Sequence, residues 1–501
     1  MSPLSAAAIF LKSRWLRFAI VSALVLVPCF WHAHIEAGDL GSHVYNAWLV
    51  NLVHKGQIHD LEVRPQWNNV LCDWLLFQIG RTLGWNAAEK IVVSLCVLCF
   101  FWGTFAFLAA ASRRPPWVLA PAIAMIAYGY TFQMGFFNYY LAIGLALLAI
   151  ALVWHGSKRE WMVAALLAVI VCLAHPIGLL TMFGFIAYIK LAQHTRGWLR
   201  LLPLVLALAT VVAGHFYILR FRVNGWLPFY QMNGADQLFL YGARYAIISY
   251  GFLLLLLVSI FYSFIRLRKQ RPFSPDIRIA LELWAVLLFS AAMIPELIFL
   301  PQFAAPVALF VSRGTMLCAV LLLCVIACLQ PQRWQLAAFS VLAAALFAFL
   351  FQDTGKLGQI EDRAQQMFRA LPYGSRIAVT IGPPPVSRMW FICHMLDRAC
   401  IGHCFTYTNY EPPSGQFWIH SKSNSRTAMS SAEEQGNMQF GTYKVKESDL
   451  PLKQIYQCRV EDIGTLCMRD LHAGEINCPN CNQPFYWFMH TLPQQSMKIK
   501  P

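Results

Sequence analysis

Residues 161–191 read WMVAALLAVIVCLAHPIGLLTMFGFIAYIKL, and how often this stretch crosses a bilayer decides the topology of the chain. At a rise of 1.5 Å per residue a continuous helix here is about 45 Å long, too much for one crossing of a hydrocarbon core of about 30 Å and short for two. His175-Pro176 divides it, because proline donates no amide hydrogen and disfavours helix at the residue before it. The basic residues arbitrate. One crossing inverts every later loop and puts Arg266, Arg268, Lys269 and Arg271 outside. Two short crossings keep them inside with Arg113, Arg114, Lys158, Arg159, Lys190, Arg196, Arg200 and Arg333, as the positive-inside rule prefers.

On either side of this stretch the chain is equally apolar. Hydrophobic residues make up 58% of it and charged residues only 13%, too apolar for a large soluble protein. The formal charge of +15 sits in short loops between apolar runs, so it speaks for topology and against a nucleic-acid partner. Runs at 87–111, 198–219, 245–264, 279–300, 306–329 and 334–351 each meet the requirement of about 20 apolar residues. Runs at 117–134 and 136–154 join through a tight Met134-Gly135 turn. The first run, 18–34, follows Lys12, Arg14 and Arg17 and lacks a small-residue cleavage site, so it reads as an uncleaved span. The expectation is an all-α polytopic membrane domain of about eleven transmembrane helices over 1–351, in the plasma (inner) membrane with a cytoplasmic N-terminus. A long first outside loop covers 35–86 and a shorter outside segment 220–244. Within the first loop, 70–83 is expected at the interface, since Asp73 and Arg81 are costly at bilayer depth.

From 352 to 501 the long apolar runs cease, which predicts a soluble, extracytoplasmic, cysteine-rich α/β domain starting near Lys356. Helical spacing over 358–370, a turn at Leu371-Pro372-Tyr373-Gly374 and a β-rich run over 376–381 open it. Gly382-Pro383-Pro384-Pro385 ends that run, and the polar stretch 422–437 reads as a loop. Cys393, Cys400, Cys404, Cys458, Cys467, Cys478 and Cys481 are disulfide candidates in an oxidising compartment. The alternative is a zinc site pairing Cys478 and Cys481 with Cys458 and Cys467, although nine residues between the latter two suit a zinc ribbon poorly. A redox-active Cys478-Pro-Asn-Cys481 pair lacks a strand-to-helix context.

The candidate chemistry begins at residues 34–57, HIEAGDLGSHVYNAWLVNLVHKGQ. Glu36 and Asp39 stand at the outer mouth of a helix. They either cap and solvate a surface helix whose apolar face is Leu40, Val44, Ala47, Trp48 and Leu52, or act on a substrate. Arg313, near the outer end of its span, requires a ligand or an ion pair, for which Glu296 is the candidate. His175 either lines a cavity or caps the broken helix. Arg220, Arg222 and Arg244 flank spans, where arginines also snorkel. Phe136, Phe137, Tyr139 and Tyr140 read as an interfacial belt and receive no role.

With Glu36, Asp39 and His43 in the first loop, the QMGFFNYYLAIGLALL run (133–148), the short helices around AHPIG (174–178) and the LPYGSRI turn (371–377), the chain resembles the GT-C class of membrane glycosyltransferases. That class includes protein O-mannosyltransferases, aminoarabinose transferases and GPI mannosyltransferases. The resemblance spans the whole architecture and rests on short motifs. It implies an inverting transfer of a sugar from a polyprenyl-phosphate donor to a glycan, lipid or protein acceptor on the extracytoplasmic side. Asp39 would be the general base. Glu36 would assist it, or the two acids would hold a divalent ion such as Mg or Mn. His43, Arg313, His175, Arg220, Arg222 and Arg244 would bind substrate, the cations meeting the lipid phosphate. Two competing readings are a transporter or flippase for a lipid-linked glycan, which predicts internal repeats and midplane charges that the sequence does not offer, and a non-catalytic, membrane-anchored glycan-assembly protein.

Overall fold

The computed structural model describes residues 3–226, 233–268, 275–381, 388–389, 394–459 and 462–478. Helices dominate. In chain order they are α1 (Pro3–Phe30), α2 (Leu40–His54), α3 (Leu71–Leu83), α4 (Trp85–Ser112), α5 (Ala120–Ala127), α6 (Tyr130–Gln133), α7 (Phe137–Trp154), α8 (Lys158–Ala174), α9 (Pro176–His194), α10 (Leu202–Ile218), α11 (Arg244–Arg268), α12 (Pro275–Met293), α13 (Phe310–Cys328) and α14 (Arg333–Arg369). The shorter α15 (Met395–Ala399), α16 (Glu411–Ser414) and α17 (Ala432–Gln439) follow. Among the described residues seven helices are long and apolar enough to cross a membrane, including α4, α7, α9, α11, α13 and α14. Helix α7 is the hub, packing on α4, α8 and α9. The outer faces of α8, α10 and α11 carry exposed Leu166, Phe216, Leu254 and Phe261, a surface suited to lipid and not to water.

The break at His175 is real: α8 ends at Ala174, and His175, in extended conformation, caps α9. Other expected spans divide. The run at 117–134 is a 3-10 turn followed by α5 and α6, interrupted near Gly129, whose backbone is extended. The run at 279–300 stops as helix at Met293, ahead of Pro295, and continues as strand β3 (Leu297–Phe299). Strand β3 pairs with β2 (Arg222–Asn224) and β4 (Val307–Ala308). At the other extreme, α14 runs unbroken through 351, so the expected boundary between membrane helix and tail falls inside one helix about 55 Å long. Gly355 and Gly358 do not break it, because Leu346 and Leu350 before them and Ile360, Ala364 and Phe368 after them bury a continuous stripe.

The tail contains a four-stranded sheet of order β6 (Cys404–Thr406), β5 (Ser375–Thr380), β8 (Lys453–Arg459), β9 (Asp462–Asp470). Strand β5 is parallel to both neighbours and β9 is antiparallel to β8. Alternation along β5 divides its faces: Ile377, Val379 and Ile381 join the main core shared with the helices, whereas Ala378 joins a second core with Tyr407, Met429, Met438 and Leu452. The polar stretch expected as a loop over 422–437 holds a turn and the start of α17, capped by Ser431, whose hydroxyl accepts from the Glu434 amide at 3.3 Å. The first loop completes the tail. Its strand β1 (Leu61–Val63) pairs antiparallel with β7 (Ile419–Ser421), and the Asp60 carboxylate accepts from the Arg426 and Thr427 amides at 2.6 and 2.8 Å.

Two disulfides are described, Cys400–Cys404 and Cys458–Cys467. The second joins β8 to β9 and removes two of the four ligands that the zinc alternative required. Cys478 is also disulfide-bonded, while Cys393, Cys481 and the segment 382–385 lie outside the described residues.

Candidate active site

Asp39 stands one residue before α2, at the N-cap position, yet its carboxylate makes no capping hydrogen bond. It is 8% exposed and Glu36 is 4% exposed, so neither acid solvates a surface helix. Helix α2 itself is buried along nearly all of its length, against α3 and the tail helix α15, instead of lying on the membrane surface. Close backbone contact holds this geometry. The Asp39 amide donates to Met134 O at 3.1 Å, and Gly38 and Gly135 both have positive φ. A Cβ on Gly38 would come within 2.4 Å of Met134 O, and one on Gly135 within 2.5 Å of the Asp39 nitrogen. On the other side, a Cβ on Gly41 would lie 2.4 Å from His394 O. Glycines before and after Asp39 thus let the 133–135 turn and the tail close on it.

The tail supplies most of the polar groups around Asp39. His394 Nε2 lies 3.9 Å from Asp39 Oδ1, and His394 Nδ1 lies 3.5 Å from Asp397 Oδ2. The Tyr410 ring packs on the His394 ring at 4.5 Å, and its hydroxyl lies next to Asp39. Burial raises the Asp39 carboxyl above the ordinary aspartate range, while His394, His43 and Arg313 hold the rise in check. An acid of that kind binds a proton more readily than an exposed aspartate does, which suits a general base.

His43, one turn into α2, has Nδ1 2.8 Å from Asp73 Oδ1 and 3.1 Å from Glu411 Oε1. Burial lowers its pKa, but the two carboxylates more than offset this and hold the imidazole well above its usual value, which favours the protonated ring. Asn138 of α7 fixes Asp73, donating to Oδ2 at 2.7 Å. Asp73 of α3 is thus 2% exposed and paired. Around them Asn46 and Asn409 exchange amide hydrogen bonds, Nδ2 of Asn409 reaching Asn46 Oδ1 at 2.6 Å, and the Thr406 amide donates to the Tyr45 hydroxyl at 2.9 Å.

Arg313, in the first turn of α13, completes the site. Its guanidinium carbon lies 3.8 Å from the centre of the Phe136 ring, its Nε is buried without a hydrogen-bond partner, and the carboxylate whose charge it feels most strongly is Asp39. The expected ion pair with Glu296 does not form. Glu296 is committed to the N-terminus of α13, accepting from the Val311 amide at 2.9 Å and from the Ser312 hydroxyl. The aromatic belt is likewise corrected, because Phe136, Phe137, Tyr139 and Tyr140 are all buried, and Tyr139 donates to Arg313 O at 3.3 Å. Of the two readings of His175 the cap is seen: Nδ1 accepts from the Ile177 amide at 3.2 Å, while the ring stands edge-on to Tyr139 at 5.4 Å.

The remaining candidates sit in other surroundings. Arg244 pairs with Asp353 at 2.6 Å and joins α11 to α14. Arg220 and Arg222 lie over Tyr217 and Phe299. Glu36 belongs to a second buried cluster, in which Arg398 Nη1 reaches Glu89 Oε2 at 2.7 Å, Nη2 reaches Glu36 Oε2 at 3.4 Å and Nε reaches Glu361 Oε1 at 2.8 Å. Burial, and then the neighbouring Glu361, raise Glu36 well above the carboxylate range. A divalent ion held jointly by Glu36 and Asp39 does not fit this arrangement, since the first faces Arg398 and the second His394. Among the described residues no group of three or more acidic, histidine or cysteine side chains is arranged so that it could hold a metal ion.

Sequence reasoning missed His394, Asp397, Tyr410 and Glu411. The available signal was polarity inside apolar surroundings in HMLDRAC (394–400) and NYEPPSG (409–415), segments that nothing in the chain order connects to Asp39. Comparison with family profiles, with curated proteins and with solved structures finds no match.

Proposed function

We propose that the chain is a membrane glycosyltransferase of the GT-C kind, moving a sugar from a polyprenyl-phosphate donor to an acceptor on the extracytoplasmic side of the plasma membrane. The observation that carries this reading is the pairing of opposite chemistries at one buried site. Asp39 makes no capping bond and has a raised pKa, and Arg313 has a donor without a partner and feels Asp39 more than any other acid. In the reaction, the acceptor hydroxyl oxygen attacks the anomeric carbon while Asp39 takes its proton. The bond from the anomeric carbon to the donor phosphate breaks, and that phosphate leaves with the electron pair, its charge met by Arg313. Attack opposite to the leaving group inverts the anomeric centre. His394, held from its other nitrogen by Asp397, orients Asp39. The cationic His43 keeps Asp73 and Glu411 from adding their repulsion to the site.

The topology that accompanies this reading has about eleven crossings, the N-terminus inside, and the first loop and the tail outside. The shared β1–β7 sheet and the Arg398 cluster support placing these two segments on one side, since they could not pair across a bilayer.

Mass spectrometry of envelope glycans tests the function in cells lacking the gene and complemented with wild type, Asp39→Asn or Arg313→Gln. The expected result is a one-sugar mass increment with wild type and its loss with both variants at normal protein level. The increment surviving in Asp39→Asn would remove the base and with it the transferase reading, leaving an assembly or transport role.

A further inference from the structure

A cavity lies at the opposite end of the helices from Asp39. It measures about 710 Å³, within the usual range for ligand sites. Glu89 and Arg113 on α4 mark the two ends, about 36 Å apart along the helix. The cavity's charged lining is Arg113, Arg196, Arg200 and Arg278 against Asp276 and Glu282. Both acids are occupied: Asp276 lies 3.6 Å from Arg113 Nε and accepts from Trp154 Nε1 at 3.1 Å, and Glu282 pairs with Arg278 one turn away. Arg196 and Arg200 therefore contribute positive charge without an ion pair among the described residues. The rest of the wall holds His155, Gln193 and Thr195 beside apolar side chains of α11, α12 and α13 that include Leu281 and Val325.

Two features indicate an amphiphile in place of a soluble anion. Leu281 lines the cavity and is itself exposed, so the cavity is open along an apolar wall on α12. Between the two free arginines stands Trp198, 83% exposed in a 3-10 turn, and a tryptophan so placed marks the headgroup level of a bilayer. Basic pockets between membrane helices at that level take acidic lipid headgroups.

We propose that this cavity binds the headgroup of an anionic phospholipid in the leaflet opposite to Asp39. The inference rests on the membrane reading of the helices and is independent of sugar transfer. The test is lipid retention by the full-length detergent-purified protein, measured by native mass spectrometry with dioleoylphosphatidylglycerol and dioleoylphosphatidylcholine as probes. The expected result is preferential retention of the phosphatidylglycerol, weakened roughly thirtyfold in the Arg196→Gln/Arg200→Gln double variant, with phosphatidylcholine retention unchanged. Both arginines are exposed, so the double variant should unfold at the wild-type temperature, and Arg200→Gln alone serves if it does not. Equal retention of the two lipids, or a preference that persists in the variants, overturns the proposal. Displacement of the lipid by inorganic phosphate at equal concentration overturns it too, in favour of a soluble anion.

Discussion

At the scale of single residues, two buried charge clusters behave differently when titrated. Asp39 must be unprotonated to accept a proton, and its pKa is raised by burial. The acid limb of the transfer rate should therefore lie above the ordinary aspartate range, activity falling as pH drops through that raised value. A pH–rate profile on purified protein checks this, and a limb near pH 4 would remove Asp39 as the base. Glu36 obeys the opposite constraint. Its folded-state pKa lies well above the ordinary 4.5, so its stabilising contribution is complete below that pH and is lost as pH rises through the raised value. Glu36→Gln, which fixes the neutral form, should flatten the alkaline loss of thermal stability and leave the acid side unchanged. Arg398→Met leaves the carboxylates of Glu89 and Glu361 buried without their counter-ion and should destabilise the fold by about 3–5 kcal/mol, read by denaturant or thermal unfolding. Asp39 and Arg313 were legible as candidates because a charge at the end of an apolar run has few uses. His394 and Glu411 were not, because a tail histidine or glutamate has many.

Among the elements, α2 and α15 make the junction on which the site depends. Gly41 is the contact point, its absent Cβ replaced by His394 O. Gly41→Ala should push α15 away, lowering stability by about 1–3 kcal/mol and raising hydrogen exchange in 394–399 ahead of the rest of the tail. Unchanged exchange there would mean that α15 does not rest on α2. Helical periodicity identified α2, and it assigned the apolar face correctly. It did not show that the polar face, Ser42, His43 and Asn46, is also buried, because amphipathicity records only which side avoids water and not whether the other side meets protein. The break at His175 was legible for a stronger reason: proline's missing donor is a property of the residue itself. The continuity of α14 past 351 was not, since hydropathy falls there while helix geometry does not.

For the whole molecule, the joined first loop and tail form one body capping the Asp39 end of the helices, with the arginine-lined cavity at the other end. In spheroplasts, a membrane-impermeant thiol reagent applied after reduction should label Cys458 and Cys467 of the tail, which are partly exposed. Labelling only after lysis would place the tail inside and invert the topology. By itself the sequence determined that the chain is predominantly apolar helix, where one ambiguous run divides, that a polar tail follows, and which charges stand at helix ends. These follow from local hydropathy, length and proline chemistry, which each segment carries independently of its neighbours. Only the tertiary structure decided that Asp39 meets His394, that Asp73 and Glu411 share His43, that Glu296 caps α13 and forms no ion pair with Arg313, and that Glu36 belongs to Arg398. Those partners lie tens to hundreds of residues apart, and a buried charge takes its partner from whatever packing brings within a few ångströms, which no local pattern encodes.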